Sequence, residues 1–290
     1  MIHIRNFLSL GAKIVSILSS TIDSGIRTSK IIREKYGKDV EYYTDLNKLI
    51  DQSKPNAISI CTPAYLHGQH LTQVLSNKIP IFCEKPLFWD KNISIEDINR
   101  NLVKLSSYEN KTIFVNTSNI YFLEKIKNEI PKKDLIKNFI FRFYTNGILR
   151  GKDIGYDLLP HGLSMLINIL GERAITRLEK NITDNSYNCS FNYGDCLVEF
   201  NFIQDEYISK ELSFDINEKK YIRIQKGDYY KYKVFLKTLD TDILTEIEDP
   251  FLTHMRNFIK TCKSNKLDIN HDSFNESSYN LKLMGHILLD

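Results

Sequence analysis

From residue 13 to residue 115 the chain keeps one cadence. A short apolar run is followed by a longer stretch with apolar residues at helical spacing, and the pair repeats. The apolar runs cover residues 13–18, 41–43, 57–61, 81–83 and 112–115. Helical patterns lie between them at 28–36, closed by Gly37, at 45–50, capped by Thr44 or Asp45, at 70–77, and at 94–107, opened by Ser94-Ile95-Glu96. Residues 4–10, stopped by Gly11, read as the end of a helix that precedes the first run. Short apolar strands alternating with helices fit a parallel sheet covered on both faces, an α/β arrangement of Rossmann type.

The cadence then breaks. Residues 123–130 read as a short helix, 139–144 as a strand and 157–170 as a helix stopped by Gly171. Most of 174–239 alternates at the strand period, with turns at Asn192-Tyr193-Gly194-Asp195 and Asp228-Tyr229-Tyr230. Tyr229, Tyr230 and Tyr232 read as strand residues, not as a platform for bases. Residues 251–262 and 276–289 form amphipathic helices. This half is expected to be an α+β unit with an open, mainly antiparallel sheet. The boundary falls near 116–121, giving a first domain at 1–118 and a second at 119–290, with the terminal helices packing back on the first.

Composition removes several classes. The 290 residues are 42% hydrophobic and 26% charged, an ordinary globular balance. The net charge is +3 and the lysines are scattered, which predicts no nucleic-acid partner. No apolar run approaches the ~18 residues of a membrane span, and the N-terminus has no basic region leading into an apolar core. Five cysteines, odd in number and without CxxC spacing, argue against both a disulfide framework and a zinc site. Reduced thiols in the cytoplasm are the expected setting.

The chemistry concentrates in residues 57–87. A strand ends in Thr62-Pro63, His67 follows, a helix intervenes, and a second strand ends in Glu84-Lys85-Pro86. Ligands of open α/β sheets gather at such strand ends. This ordered set resembles the glucose-fructose oxidoreductase/inositol dehydrogenase (Gfo/Idh/MocA) family, and the similarity of spacing runs over nearly the whole chain. The resemblance implies a cofactor site including Thr62, Pro63, His67, Glu84 and Lys85. It also implies a cis peptide bond before Pro86 and a Lys85 beside the nicotinamide and the reacting carbinol, where an ammonium polarises the oxygen.

A second unit, Asp157-Leu158-Leu159-Pro160-His161, matches the Asp-x-x-x-His that the family places at the start of a helix. A spacing of four sets both side chains on one helical face. By the resemblance His161 moves the hydroxyl proton, since imidazole titrates near neutrality. Asp157 binds a second hydroxyl or orients the imidazole. Asn119, with Asn116, stands where the family has a substrate contact, although Thr117-Ser118-Asn119 replaces the familiar Asn-x-Arg. His254, His271 and His286 have no ligand spacing and are read as structural or exposed; no metal is expected.

The family's Gly-x-Gly-x-x-Gly fingerprint is absent. Residues 1–15 are similar to the helix after that loop, with His3 in the place of the family histidine. The expectation is therefore a Rossmann-like sheet whose first strand and glycine loop are missing, through either a misassigned start, which is preferred, or a real truncation. Residues 13–18 lead into Ser19-Ser20-Thr21, where NAD enzymes carry an acid for the ribose hydroxyls. The cofactor is NAD or NADP, and serines at 19 and 20, with Arg27 and Lys30 nearby, tilt the expectation towards NADP.

The resulting expectation is a homo-oligomer, dimer or tetramer, that passes a hydride between a nicotinamide cofactor and a small sugar or polyol, with a weak similarity at His3–Leu8 to members acting on nucleotide-linked or surface-polysaccharide sugars. Two alternatives stay open: a C=N or enone reductase on the same scaffold, and a catalytically impaired or purely binding relative.

Overall fold

The computed structural model describes residues 1–108, 112–228, 232–264 and 273–289. It opens with α1 (Ile2–Ser9), β1 (Ser16–Leu18), α2 (Ile22–Tyr36), β2 (Glu41–Tyr43) and α3 (Leu46–Ser53). β3 (Ile58–Ile60), α4 (Ala64–Ser76), β4 (Ile81–Cys83), α5 (Ile95–Ser106) and β5 (Ile113–Val115) follow. All pairings here are parallel, but the strands form two sheets: β1 with β2, and β3-β4-β5. The parallel strands are Rossmann-like, as expected. Among the described residues no strand hydrogen-bonds to both β1 and β3, and Ile17, Leu18 and Ile58 are left only half-buried.

In this half, α2 and α4 start well before apolar spacing predicts. α2 begins at Ile22 because Thr21 and Ser24 form a reciprocal capping box, while its first turns carry too few buried residues to show a stripe. α4 begins at Ala64, directly behind Pro63, whose fixed φ of −56° suits entry into a helix. The earlier start places His67 within α4.

The chain continues through α6 (Ile120–Lys125), a 3-10 turn at Lys133–Leu135, β6 (Asn138–Thr145) and α7 (Lys152–Leu170). α6 thus lies ahead of the expected 123–130 helix. Then come β7 (Ile175–Ile182), β8 (Ser186–Tyr193), β9 (Cys196–Gln204), β10 (Glu211–Ile216), β11 (Lys219–Gly227), β12 (Tyr232–Thr238) and β13 (Leu244–Ile247). They make one eight-stranded sheet in the order β13-β12-β11-β10-β6-β9-β8-β7, antiparallel except for the β6–β9 pair. Tyr232 is a strand residue, as expected; Tyr229, Tyr230 and His271 lie outside the described residues.

α7 fills the inner face of this sheet. Phe139, Phe141, Phe200, Phe202 and Phe214 are fully buried on that face, and each such ring removed from water is worth about 1.5–3 kcal/mol. Gly162 allows the close approach, since a Cβ there would stand 2.8 Å from Phe141 Cδ1. Two closing helices, α8 (Pro250–Ser264) and α9 (Ser273–Leu289), return towards the parallel strands. α9 packs on α7, α5 and β5. α8 covers Phe82 and Phe114 with Met255 and Phe258, and Phe7 of α1 completes that cluster. Among the described residues no helix is long and apolar enough to cross a membrane, and no group of His, Cys, Asp and Glu could hold a metal ion.

Candidate active site

The carboxyl ends of β3, β4 and β5 present the first set of polar groups. Glu84 follows β4, and its backbone N–H donates to the Ile60 carbonyl at 2.9 Å, so the strand register fixes where the side chain leaves. One carboxylate oxygen, Oε1, accepts from His3 Nε2 at 2.6 Å and from Asn116 Nδ2 at 2.8 Å. His3 Nδ1 lies 2.9 Å from Ser59 Oγ, so the ring is committed on both sides. Burial opposes the Glu84 charge, but the His3 and Asn116 contacts outweigh it and hold the carboxyl down at about 2. Burial likewise opposes the His3 charge, yet bonding to Cys61 and Glu84 lifts the imidazole to about 9. The pair is an imidazolium and a carboxylate across the whole neutral range.

His67 is buried inside α4. Its Nδ1 is 2.9 Å from the Pro86 carbonyl and its Nε2 is 2.7 Å from the Thr62 carbonyl. Both ring nitrogens face main-chain carbonyls, so neither is left over for a cofactor. The residue instead ties the Thr62-Pro63 turn to the Lys85-Pro86 turn, whose peptide bond is cis. Thr62 Oγ1 is engaged with His70 Nδ1 at 3.2 Å, which gives His70 a place in the site's framework. Ser19 is half-buried with its N–H on the Tyr43 carbonyl at 2.9 Å, and Ser20, Arg27 and Lys30 are exposed.

The second set comes from α7. The helix starts at Lys152, behind Gly151, so Asp157 and His161 lie in its interior and not at its start as expected. Lys85 bridges the two sets. Its ammonium donates to the Asp157 backbone carbonyl at 2.7 Å and forms an ion pair with the Asp157 carboxylate. The other carboxylate oxygen accepts from Gln204 Nε2 at 2.8 Å. Desolvation favours the neutral acid, but the adjacent Lys85 charge prevails and lowers Asp157 below the usual carboxylate range. The expectation that Asp157 orients the imidazole is therefore corrected: its oxygens are taken by Lys85 and Gln204.

His161 behaves in the opposite way to His3. Burial, then the Lys85 charge, push its pKa down to about 3, and Asp157 only partly offsets them. Nδ1 is buried and has no hydrogen-bond partner, while the ring edge meets Phe143 with centroids 5.4 Å apart. An unpartnered buried nitrogen costs on the order of 1–3 kcal/mol unless a ligand or water meets it. Asn116 Oδ1 and Asn119 Nδ2 are likewise buried without partners. The arrangement offers an ammonium, a neutral imidazole and two amide groups with unmet bonding capacity. That set can bind a hydroxylated or carbonyl carbon and exchange a proton with its oxygen.

Sequence reading passed over Gln204 and the His3–Glu84 pairing. Gln204 left one signal: it is the only polar side chain in the inward row Cys196, Val198, Phe200, Phe202, Gln204 of β9 apart from the thiol. His254 is structural as expected, buried between Tyr121 and the Val115 carbonyl, and His286 is exposed.

Known proteins place this geometry in context. Residues 3–117 match the Gfo/Idh/MocA family model, described as an oxidoreductase family with an NAD-binding Rossmann fold. A 2,7-anhydro-N-acetylneuraminate hydratase from Mediterraneibacter gnavus is 32% identical over 77 residues; the match takes in 27% of this chain and 18% of that protein. Among solved structures, an oxidoreductase from Thermotoga maritima superposes with a TM-score of 0.72 at 12% identity, covering 99% of this chain and 91% of the other. A UDP-N-acetylglucosamine 3-dehydrogenase from Acidithiobacillus ferrooxidans gives 0.72 at 9% identity, covering 99% and 92%. A 3-ketoreductase from Actinomadura kijaniata, solved with TDP-benzene and NADP, gives 0.67 at 15% identity, covering 94% and 87%. Residues 3–117 thus match the NAD-binding Rossmann model of the Gfo/Idh/MocA oxidoreductase family, and the chain as a whole shares the fold of these solved oxidoreductases.

Proposed function

We propose that this oxidoreductase interconverts a CH–OH group and a ketone on a sugar or polyol, with nucleotide-linked sugars the preferred class. The observation that carries the reading is Lys85 held between the strand ends and α7, beside a neutral, unpartnered His161. Residues 1–118 form the cofactor part and 119–290 the substrate part. Support for the sugar class comes from the similarity to a UDP-sugar dehydrogenase and to a 3-ketoreductase.

A nicotinamide cofactor, NAD or NADP, accepts or supplies the hydride when bound. Glu84, Lys85 and the Thr62-Pro63 turn lie where they would hold its nicotinamide end. Ser19 and Ser20 would face the adenosine ribose and, lacking a carboxylate, tolerate a 2′-phosphate. Lys85 donates a hydrogen bond to the reacting oxygen and stabilises negative charge on it. His161, neutral above about pH 3, takes the hydroxyl proton in oxidation and returns it in reduction. Asp157 holds Lys85, and Asn119 fills an open valence with a further substrate hydroxyl. The open face of the eight-stranded sheet serves a homo-oligomer, dimer or tetramer.

Binding and turnover test this directly. NADH and NADPH are titrated by fluorescence, then UDP- and TDP-sugars are assayed for production of NAD(P)H. Lys85→Ala should keep the fold and lower turnover about 10²–10³-fold. Neither cofactor binding, or an unchanged rate in Lys85→Ala, would remove the proposal. The hydratase similarity supports a second reading, a sugar reaction with no net redox change; product formation without net NAD(P)H would select it.

A further inference from the structure

We propose that Gln204 is a positioning residue for this site: it sets the Asp157 carboxylate, and through it the Lys85 ammonium, and Gly147 exists to leave room for it. The inference rests on the reading of Lys85 as the residue that meets the reacting oxygen.

Gln204 ends β9 on the face that packs against α7, and it is 1% exposed. Its main chain is pinned by a 2.9 Å bond from its N–H to the Asn185 carbonyl. Its side-chain amide is committed at both ends. Oε1 accepts from Leu149 N at 3.0 Å, and Nε2 donates to Asp157 Oδ2 at 2.8 Å. The amide orientation follows from chemistry: a backbone N–H can only donate, so oxygen must face Leu149 and the NH₂ must face the carboxylate. With Oδ2 held there, Oδ1 is the oxygen turned to Lys85.

Gly147 supplies independent support. A Cβ at this position would lie 1.9 Å from Gln204 Oε1 and 2.2 Å from its Cδ, an overlap that only displacement of the amide could relieve. Its φ lies outside the left-handed region, so space and not backbone conformation demands the glycine. Burying an amide in an apolar row is unfavourable unless both ends are bonded. A leucine or methionine would pack there without that cost. The arrangement is what a residue kept for orientation requires.

The test uses the full chain and three variants: Gln204→Met, which keeps the volume, Gln204→Glu and Gly147→Ala. In 15N-lysine-labelled protein the Lys85 Nζ resonance, assigned with Lys85→Arg, should be protected from exchange in the wild type. It should exchange faster in Gln204→Met and Gly147→Ala, with the main-chain acceptor still in place, while the melting transition remains cooperative. A Lys85 signal as protected in Gln204→Met as in the wild type, or no protection in the wild type, overturns the proposal. With UDP-sugar as probe, Gln204→Met should lower kcat about tenfold to a hundredfold with KM nearly constant. Gln204→Glu should recover as pH falls and the introduced carboxyl becomes neutral; a pH-independent defect counts against positioning. If the wild type turns over no sugar but the Lys85 signal responds as described, the functional reading fails and the positioning role stands.

Discussion

Lys85 stands between two acid–imidazole couples with opposite electrostatics. On the strand side, Glu84 and His3 share a 2.6 Å hydrogen bond, with the acid pushed down to about 2 and the imidazole up to about 9. On the α7 side, Asp157 gives its oxygens to Lys85 and Gln204, and His161 is left with an unpartnered Nδ1 and a pKa near 3. The same residue types thus make a closed pair in one place and an open one in the other. The closed pair has nothing left to offer a ligand through its imidazole, so it serves as framework for the strand ends. The open one keeps the capacity that proton transfer needs.

The largest effect expected from breaking this contrast is at the closed pair. Glu84→Gln leaves a buried imidazolium without its counter-charge and should cost about 3–5 kcal/mol in urea unfolding near pH 6. The pair also has a defined window. His3 has a raised pKa, so its contribution is whole below pH 6.5 and is lost as pH rises through about 9. Glu84 has a lowered one, so its contribution is whole above pH 4.5 and is lost as pH falls through about 2. Stability measured against pH should lose both limbs in Glu84→Gln; a profile identical to the wild type's would contradict the ion-pair assignment.

The open couple should respond with the reverse sign at its histidine. His161 stays neutral in the folded chain while its unfolded form takes a proton below pH 6.5. Its contribution is therefore present above pH 6.5 and drains away as pH falls towards about 3. His161→Gln should flatten the decline over that interval and leave the alkaline side untouched. Asp157→Asn should be milder. Lys85 keeps its backbone acceptor and both side chains are partly exposed to solvent, so a loss of about 1–2 kcal/mol is expected by thermal or urea unfolding. Smallest is Phe143→Leu, which removes the edge contact to His161 and should cost about 0.5–1.5 kcal/mol. A larger loss there than in Asp157→Asn would show that ring packing, not charge, organises this side.

The two couples also differ in how far they could be read from the sequence. Lys85 stands in one short motif and Asp157 and His161 in another; each spacing is local, and it was the resemblance to the family that implied their grouping. Their partners were not legible. Glu84, behind β4, meets His3 of α1 and Asn116 behind β5, and Asp157 meets Gln204, the last residue of a distant strand. Such contacts depend on strand order, which no periodicity encodes. The early starts of α2 and α4 were hidden for a simpler reason: their first turns follow a side-chain cap or a proline and bury little, so the apolar stripe begins only further on.

One contact of Lys85 belongs to no side chain. Its ammonium rests on the main-chain oxygen of Asp157, in the middle of α7. That oxygen is present whatever amino acid occupies position 157. Substitution can erase the carboxylate, and the lysine keeps one mooring as long as the helix keeps its place. Half of the tether is thus inherited through shape, outside the reach of any single codon, and position 157 is the place in this site where chemistry can be rewritten with the lysine still held.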